Sequence, residues 1–315
     1  MSRKSMHGVS RCPKWCRSWV VAFAVSVAVA GCGEANLMEL RERLEVRIAK
    51  GGAATVGLYY RDLDSGDSLP LNADTRVHAA STMKVPVMIQ LYRDQEAGAL
   101  HLDESITITK TFRSIVDGSV YELGAPDDSD TLLYDRVGEP ESIRALTDRM
   151  ITVSSNLATN ILIELVSAER VTATMRELGA DSIEVLRGVE DTKAYRAGLS
   201  NTTTARDLGV ILTAIAENRA ASEASCREMI DVLLRQEFNN NIPLGLPQGT
   251  PIAHKTGWIS QYVTHDAGIV YRPGGRRYVL VVLTSGVEDD EEADRLIGDL
   301  SRIVWDWGKG TRQQE

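Results

Sequence analysis

A hydroxyl and an amine are spaced three residues apart in the segment Ser81-Thr82-Met83-Lys84. The segment opens an apolar run with helical periodicity, and side chains three apart on a helix lie on the same face. An amine in that position can take the proton of the serine hydroxyl, which makes Ser81 a candidate nucleophile. Because serine and lysine are common residues, the four residues alone are also consistent with a solvated helix start.

Two later segments add groups that could bind or polarise a substrate. Ser154-Ser155-Asn156 lies between two helical runs and offers a second hydroxyl and a carboxamide. Lys255-Thr256-Gly257 lies within a strand pattern, where glycine allows a substrate backbone to approach closely. The lysine and the threonine hydroxyl can together bind a carboxylate. The three segments therefore combine a nucleophile, a proton acceptor and groups that bind anions.

The surrounding pattern indicates which elements must position these groups. Residues 38–50 show apolar positions at helical spacing, which predicts a helix. A strand pattern at residues 55–63 is followed by a turn at residues 64–67, which is typical of a β-hairpin. From about residue 80 to 238 the periodicity is helical, and strand patterns return between residues 251 and 286 before a final amphipathic helix. Both chain ends are therefore expected to build one antiparallel sheet, with the helical middle as an insertion.

Taken in this order, the three segments resemble the motifs of the penicillin-recognising serine enzymes, and in particular those of the class A β-lactamases. The resemblance covers nearly all of the chain after residue 31. It implies an α/β (α+β) fold in which a five-stranded antiparallel sheet is flanked by helices and carries an inserted all-helical subdomain. The sheet subdomain would span about residues 38–78 and 240–308, and the helical subdomain about residues 79–239.

The resemblance also implies a role for individual residues. Ser81 would attack the lactam carbonyl after losing its proton to Lys84, or to Glu190 through a water molecule, and both routes stay open. Glu190 would then activate the water that releases the acyl group, with no cofactor and no metal ion involved. The other implied groups are the proton relay Ser154, the oxyanion-hole amides of Ser81 and Trp258, and the substrate-binding residues Asn156, Lys255, Thr256, Gly257 and Trp258.

The chain departs from the class A pattern at three places near these groups. Ser155 replaces the usual aspartate of the middle motif, and Ala194 replaces an asparagine expected to hold the deacylating water. Asn201 replaces the acidic partner of an arginine that usually pins the loop bearing the catalytic glutamate. We therefore expect Glu190 to be held loosely, with deacylation slower than acylation.

One histidine lies near a functional position of the family. Class A enzymes often supply an arginine for the substrate carboxylate after the third motif, and His265 lies near that place. A structural role on its strand is the preferred interpretation, and a weak carboxylate contact is the alternative.

The first 31 residues have the charge and hydropathy of a signal peptide. Five basic residues and no acidic residue precede the apolar run at residues 19–30, which is shorter than the ~20 residues needed to span a membrane. The run ends in Val29-Ala30-Gly31-Cys32, which resembles a bacterial lipobox with Cys32 as the lipidated residue. The protein is therefore predicted to be exported and lipid-anchored to a membrane in the periplasm or at the cell surface. An ordinary signal peptide is the alternative.

The charge of the chain bears on its partners. The formal net charge is −9, and loss of the basic leader makes the rest of the chain more acidic. Such a surface argues against nucleic acid as a partner. We expect a monomer whose partner is a β-lactam or a peptidoglycan stem peptide.

Two other functions are compatible with these residues. A D,D-peptidase or other penicillin-binding serine hydrolase would share the acylation residues but would lack release driven by a glutamate. A non-catalytic lipoprotein could hold peptidoglycan peptides in the same cleft, although an intact Ser81 and Lys84 argue against it.

Overall fold

The centre of the molecule is a five-stranded antiparallel sheet, seen in a computed structural model that describes residues 37–310. The strands are β1 (Thr55–Asp62), β2 (Ser68–Leu71), β9 (Ile252–Ile259), β10 (Val263–Tyr271) and β11 (Arg277–Ser285). Their order is β2-β1-β11-β10-β9, so the first hairpin of the chain joins the last three strands through the pairing of β1 with β11. The sheet built from both chain ends, as predicted, is confirmed.

The central strand β11 is buried on both faces, which explains its nearly continuous apolar sequence. Its alternate residues Val279, Val281 and Leu283 belong to the large core shared with the helical middle of the chain. Leu280 and Val282 point the other way, into a smaller core against the terminal helices. This period of two places one core on each side of the sheet.

The described part of the chain contains nine α-helices. Helix α1 covers residues 37–49, and the longest, α9 (Asp290–Gly310), packs near it against the outer face. The others are α2 (Lys84–Glu96), α3 (Ile143–Thr152), α4 (Asn156–Val166), α5 (Ala168–Glu177), α6 (Thr192–Arg196), α7 (Ala205–Ala216) and α8 (Glu223–Leu233). Among residues 37–310, no helix is both long and apolar enough to cross a membrane.

The inserted part differs from the prediction of an all-helical subdomain, because residues 79–239 also contain short strands, one of which pairs with a strand just before them. Three two-stranded ladders are formed by β3 (Val77–His78) with β8 (Thr202–Thr203), β4 (Ser105–Thr107) with β7 (Pro140–Ser142), and β5 (Thr111–Arg113) with β6 (Val120–Glu122). Strands of two or three residues are too short to leave a period of two in the sequence. The ladder of β3 with β8 ties the segment before Ser81 to the segment after Glu190.

Candidate active site

Ser81 lies in a 3₁₀ turn, Ala80–Met83, that leads directly into α2. The residue before it, Ala80, has a φ of 44°, in the left-handed region that non-glycine residues rarely adopt. The amide of Ala80 donates a hydrogen bond of 3.0 Å to Nδ1 of His78, which helps to hold this strained turn. Strained backbone of this kind often marks a functional site. Ser81 is partly exposed, at the floor of a cleft.

Lys84 lies one turn further along and is fully buried. Its ammonium donates to the carbonyl of Ser154 at 2.6 Å, to the hydroxyl of Ser154 at 3.1 Å and to Oδ1 of Asn156 at 2.9 Å. Burial lowers the pKa of Lys84 to about 7, although the negative charges of Asp128 and Glu190 oppose this. Near neutral pH a large share of Lys84 is therefore an uncharged amine that can accept a proton.

A second lysine reaches the same hydroxyl from the opposite side. The ammonium of Lys255, on β9, donates to Oγ of Ser154 at 3.0 Å and to the carbonyl of Thr256 at 3.0 Å. Burial and the neighbouring charge of Lys84 hold the pKa of Lys255 well below its usual range. Ser154 has a φ of 58°, so its backbone is bent to place the hydroxyl between the two amines. The three side chains form a continuous path for a proton.

Strand β9 forms the edge of the sheet beside Ser81, and Gly257 permits its close approach. A Cβ atom at Gly257 would lie 3.1 Å from the amide nitrogens of both Ser81 and Thr82. Contacts this short are rare for a real side chain, so glycine is needed here for steric reasons. The next residue, Trp258, is 57% exposed and projects along the cleft.

These segments meet in a cleft of about 580 Å³. The side chains of Lys84 and Lys255 are fully buried, and both contact the hydroxyl of Ser154, which lines the cleft. The cleft is lined by the predicted residues Ser81, Ser154, Asn156, Glu190, Thr256, Gly257 and Trp258. Residues separated by up to 177 positions in the sequence are thus brought to one surface.

Glu190 lies on the wall of the cleft with its side chain exposed and its backbone at a φ of 62°. The pKa of Glu190 is raised by partial desolvation in the cleft and by the negative charge of Asp127. The positive charge of Arg187 lowers this pKa, but its effect is smaller. A carboxyl with a raised pKa is a suitable general base close to neutral pH. The position and the electrostatics of Glu190 therefore suit proton transfer with a molecule in the cleft.

Glu190 was expected to be held loosely because the usual ion pair is missing, but two neutral side-chain amides fix the backbone of the loop before it. Asn201 is buried, accepts hydrogen bonds from the amides of Leu186 and Arg187 at 2.8 and 3.2 Å, and donates to the carbonyl of Arg187 at 2.9 Å. Asn160 of α4 accepts from the amide of Val189 at 2.6 Å and donates to its carbonyl at 3.0 Å. The loop is therefore fixed on both sides just before Glu190.

Two buried aspartates that the sequence analysis did not single out complete this framework. Asp191 accepts hydrogen bonds from the hydroxyl of Ser114, the amide of Ile115 and the amide of Ala194. Asp128 accepts from the amides of Asn156 and Leu157 and so fixes the start of α4. Aspartate in a loop is usually a solvated charge, and only its burial reveals these contacts.

The three departures from the class A pattern have different structural outcomes. Ser155 is buried and caps α4 by accepting from the amide of Ala158 at 3.2 Å, a task that aspartate also performs. Ala194 is fully buried and apolar, so its side chain offers no hydrogen bond to a water molecule. Asn201 holds the loop, as described above.

His265 lies inside the sheet and is fully buried, which agrees with the structural role preferred from the sequence. Its ring nitrogens lie 2.9 Å from the carbonyl of His78 and 2.8 Å from the carbonyl of Thr264. Burial lowers its pKa to about 4, so the ring is neutral at physiological pH. His265 therefore ties β10 to the segment that leads to Ser81.

The leader and Cys32 lie outside the described residues, which begin at residue 37.

The fold and the arrangement of the site are those of a β-lactamase-like protein, and comparison with known proteins gives the same family. The model of the β-lactamase enzyme family matches residues 39–307, and the chain belongs to this family. The family and the β-lactamase relatives identify the chain as a β-lactamase-type hydrolase.

Individual relatives include β-lactamases and a protein described as PBP-A. The chain is 25% identical to a β-lactamase of Streptomyces albus G over 87% of this chain and 86% of that protein. It is 29% identical to a β-lactamase of Nocardia asteroides over 80% of this chain and 79% of that protein. A structure described as PBP-A is 30% identical, with a TM-score of 0.74, and the match covers 86% of this chain and 96% of that one. A mutant of PBP-A has been solved as an acyl-enzyme complex with penicillin G.

Proposed function

We propose that this protein is a class A-like serine β-lactamase that hydrolyses the lactam amide through an acyl-enzyme on Ser81. The observation that carries the proposal is Lys84, which lies one turn from Ser81, is fully buried and has a pKa lowered to about 7. A buried lysine with so low a pKa is suited to act as a base at neutral pH.

Acylation begins with attack of the Ser81 oxygen on the lactam carbonyl carbon. The serine proton passes to Lys84, or to Glu190 through a water molecule, and both routes remain compatible with the geometry. As the carbonyl carbon re-forms its double bond, the carbon–nitrogen bond of the lactam breaks. The nitrogen takes a proton through the hydroxyl of Ser154, which is hydrogen-bonded to both lysines.

The substrate is held by backbone and side-chain groups around the cleft. The amides of Ser81 and Trp258 stabilise the oxyanion, and loss of one such donor typically costs about 2.7 to 4 kcal/mol. The amide of the acyl side chain is bound by Asn156, and the substrate carboxylate by Lys255 and Thr256. Gly257 allows β9 to lie close to the amides of Ser81 and Thr82.

Deacylation uses Glu190 as the general base. Its carboxylate takes a proton from a water molecule whose oxygen attacks the acyl carbon, and the bond to the Ser81 oxygen breaks as that oxygen is reprotonated. The loop contacts made by Asn160 and Asn201 support this role, because they fix the backbone before Glu190.

Mass spectrometry after mixing with benzylpenicillin tests the acylation step. We expect wild-type protein to gain the mass of one penicillin and Ser81→Ala to gain none. The matched control is Ser260→Ala, which removes another hydroxyl from the same cleft and should be labelled like the wild type. Labelling of Ser81→Ala would show that the nucleophile has been assigned wrongly.

A penicillin-binding D,D-peptidase is the second candidate, and the buried Ala194 is the observation that favours it. Without a polar side chain at this position, the deacylating water has one fewer partner. Steady hydrolysis of nitrocefin supports the β-lactamase, and a stable acyl-enzyme without turnover supports the D,D-peptidase. If no penicillin labels the protein, a non-catalytic peptidoglycan-binding lipoprotein becomes the better proposal.

The cellular setting belongs to the same proposal. The lipobox at residues 29–32 supports export and a lipid anchor on Cys32, which would place a monomeric enzyme at a membrane surface in the periplasm or on the cell.

A further inference from the structure

An acidic loop of residues 127–130 lies against the segment that carries Ser154. The carbonyl of its first residue accepts a hydrogen bond from Nδ2 of Asn156 at 3.3 Å. The hydroxyl of Ser129 donates to the carbonyl of Val153 at 2.5 Å. The loop therefore holds the chain on both sides of Ser154, whose backbone lies in the left-handed region.

The carboxylate of Asp128 is the centre of these contacts. The residue is buried, with 8% exposure, and its two oxygens accept four hydrogen bonds. Oδ1 accepts from the amides of Asn156 at 2.9 Å and of Asp130 at 3.0 Å. Oδ2 accepts from the amide of Leu157 at 2.8 Å and from the hydroxyl of Tyr134 at 3.0 Å. Because two of these donors are the first amides of α4, the negative charge lies at the positive end of that helix.

Asn156 joins this carboxylate to the lysine beside Ser81. Its backbone amide donates to Asp128, and its Oδ1 accepts from the ammonium of Lys84 at 2.9 Å. Burial lowers the pKa of Lys84, and the negative charge of Asp128 opposes this effect more strongly than that of Glu190 does. The contacts and the charge of Asp128 therefore act on the same lysine.

The other charged groups that face Lys84 do not duplicate this effect. Lys255 of β9 is a neighbouring positive charge, and Glu190 lies on the exposed wall of the cleft with a raised pKa. Ser155 caps α4 beside the site, but its hydroxyl is neutral. Asp128 therefore supplies a buried negative charge that the cap of α4 does not.

We propose that Asp128 is a positioning residue for acylation. Its carboxylate holds Asn156 at the start of α4 against Lys84, and it stabilises the positive charge that Lys84 gains with the serine proton. The inference rests on the proposed function, since it takes Lys84 to accept the proton of Ser81. A loop that contributes no group to the bond-making step thus sets the pH at which acylation begins.

The pH profile of acylation tests this role. Asp128→Asn keeps the size of the side chain and removes its charge, so the ammonium of Lys84 is stabilised less and the pKa of Lys84 falls. The midpoint of the rise in rate with pH should therefore move down by about one unit. The rate above the midpoint should fall about tenfold, because the amide of asparagine cannot accept all four hydrogen bonds. Stopped-flow mixing with nitrocefin measures both effects, and an unchanged midpoint would overturn the proposal.

A second carboxylate and a matched control separate the charge from the contacts. Ser155→Asp places a carboxylate at the same helix start, so in the Asp128→Asn background it should bring the midpoint back towards that of the wild type. The control Asp130→Asn removes another buried carboxylate of the loop, which pairs with Arg149 at 2.9 Å, and should lower stability without moving the midpoint. Equal shifts in Asp128→Asn and Asp130→Asn, or no recovery in the double variant, would refute the electrostatic role.

Ser155→Asp alone decides the question if Asp128→Asn does not fold. The added carboxylate should raise the midpoint by about one unit and leave the rate above it as in the wild type. An unchanged midpoint would again overturn the proposal.

A measurement without any β-lactam keeps this inference separate from the proposed function. Titration of the Cε and Hε signals of Lys84 by NMR, assigned with Lys84→Arg, reads the pKa of this lysine directly. A lower pKa in Asp128→Asn, in a protein that benzylpenicillin does not acylate, would reject the proposed function but keep the effect of Asp128 on Lys84. Acylation of the wild type with the same pKa of Lys84 in both proteins would reject the role of Asp128 alone.

Discussion

The ammonium of Lys84 contacts Ser154 twice, once at its carbonyl at 2.6 Å and once at its hydroxyl at 3.1 Å. Because Lys84 also donates to Asn156, this lysine and the segment Ser154-Ser155-Asn156 form one hydrogen-bonded unit. Among the described residues, no hydrogen bond joins the hydroxyl of Ser81 to Lys84. Catalytic hydrogen bonds are often long in unliganded enzymes and shorten when the substrate binds.

The first prediction concerns the pH dependence of acylation. With a pKa of about 7, Lys84 is mostly protonated below pH 7 and mostly neutral above it. If the neutral amine accepts the serine proton, the acylation rate should rise as the pH increases through about 7 and then level off. Stopped-flow measurement with a chromogenic cephalosporin gives this profile. Lys84→Ala should slow acylation by about 10² to 10⁴-fold, and a wild-type rate in this variant would remove Lys84 from the mechanism.

The second prediction concerns the loop contacts of Asn201. Asn201→Ala removes three hydrogen bonds and leaves buried backbone groups unsatisfied, which should lower the free energy of unfolding by about 2 kcal/mol. Deacylation should slow more than acylation, because the loop carries Glu190 and not Ser81. Denaturant unfolding and single-turnover kinetics measure the two effects.

Asn201→Asp provides the control for this prediction. Its carboxylate still accepts from the amides of Leu186 and Arg187, so most of the stability and the deacylation rate should be retained. Equal slowing of acylation and deacylation in Asn201→Ala would contradict a specific effect on the loop.

The third prediction separates the two chemical steps at Glu190. Glu190→Gln should lengthen the lifetime of the acyl-enzyme, because glutamine cannot accept the proton of water. In the wild type, deacylation should fall as the pH drops through the raised pKa of Glu190, at a higher pH than for an ordinary glutamate. A burst of one acyl group per enzyme followed by a slower steady state is expected, since Ala194 offers the water no hydrogen bond. An unchanged lifetime in Glu190→Gln would favour the D,D-peptidase.

The fourth prediction concerns Ser155, whose hydroxyl caps α4. Ser155→Ala should cost about 1 kcal/mol of stability and slow acylation, because Ser154 and Asn156 lie on either side of the cap. Ser155→Asp should preserve both. Ser222→Ala removes the corresponding cap of α8, so it should cost similar stability without changing the acylation rate. If the two alanine variants behave alike in acylation, the cap has no influence on the site.

The fifth prediction concerns Cys32. Cys32→Ser should prevent lipidation and release the protein into the soluble fraction, because acyl chains provide an anchoring that an acidic protein surface cannot. Cell fractionation with a salt wash, together with mass spectrometry of the mature N-terminus, measures this. A variant that stays with the membranes would contradict the lipobox.

The sequence by itself determined the elements whose signals are local. Helical periodicity located α2, α3, α4, α7 and α8, and alternating or apolar runs located the strands of the sheet. The short motifs at Ser81, Ser154 and Lys255 indicated acyl-transfer chemistry before any contact was known. Ladders of two or three residues escaped prediction, because so short a strand has no measurable period.

Tertiary structure alone decided how these groups are paired, held and charged. Asn201 was expected to leave the loop loose because it lacks a charge, yet once buried its amide makes three hydrogen bonds to one stretch of backbone. The lowered pKa of Lys84 depends on its complete burial. Burial and long-range pairing arise from the packing of segments far apart in the chain, so no local pattern of residues encodes them.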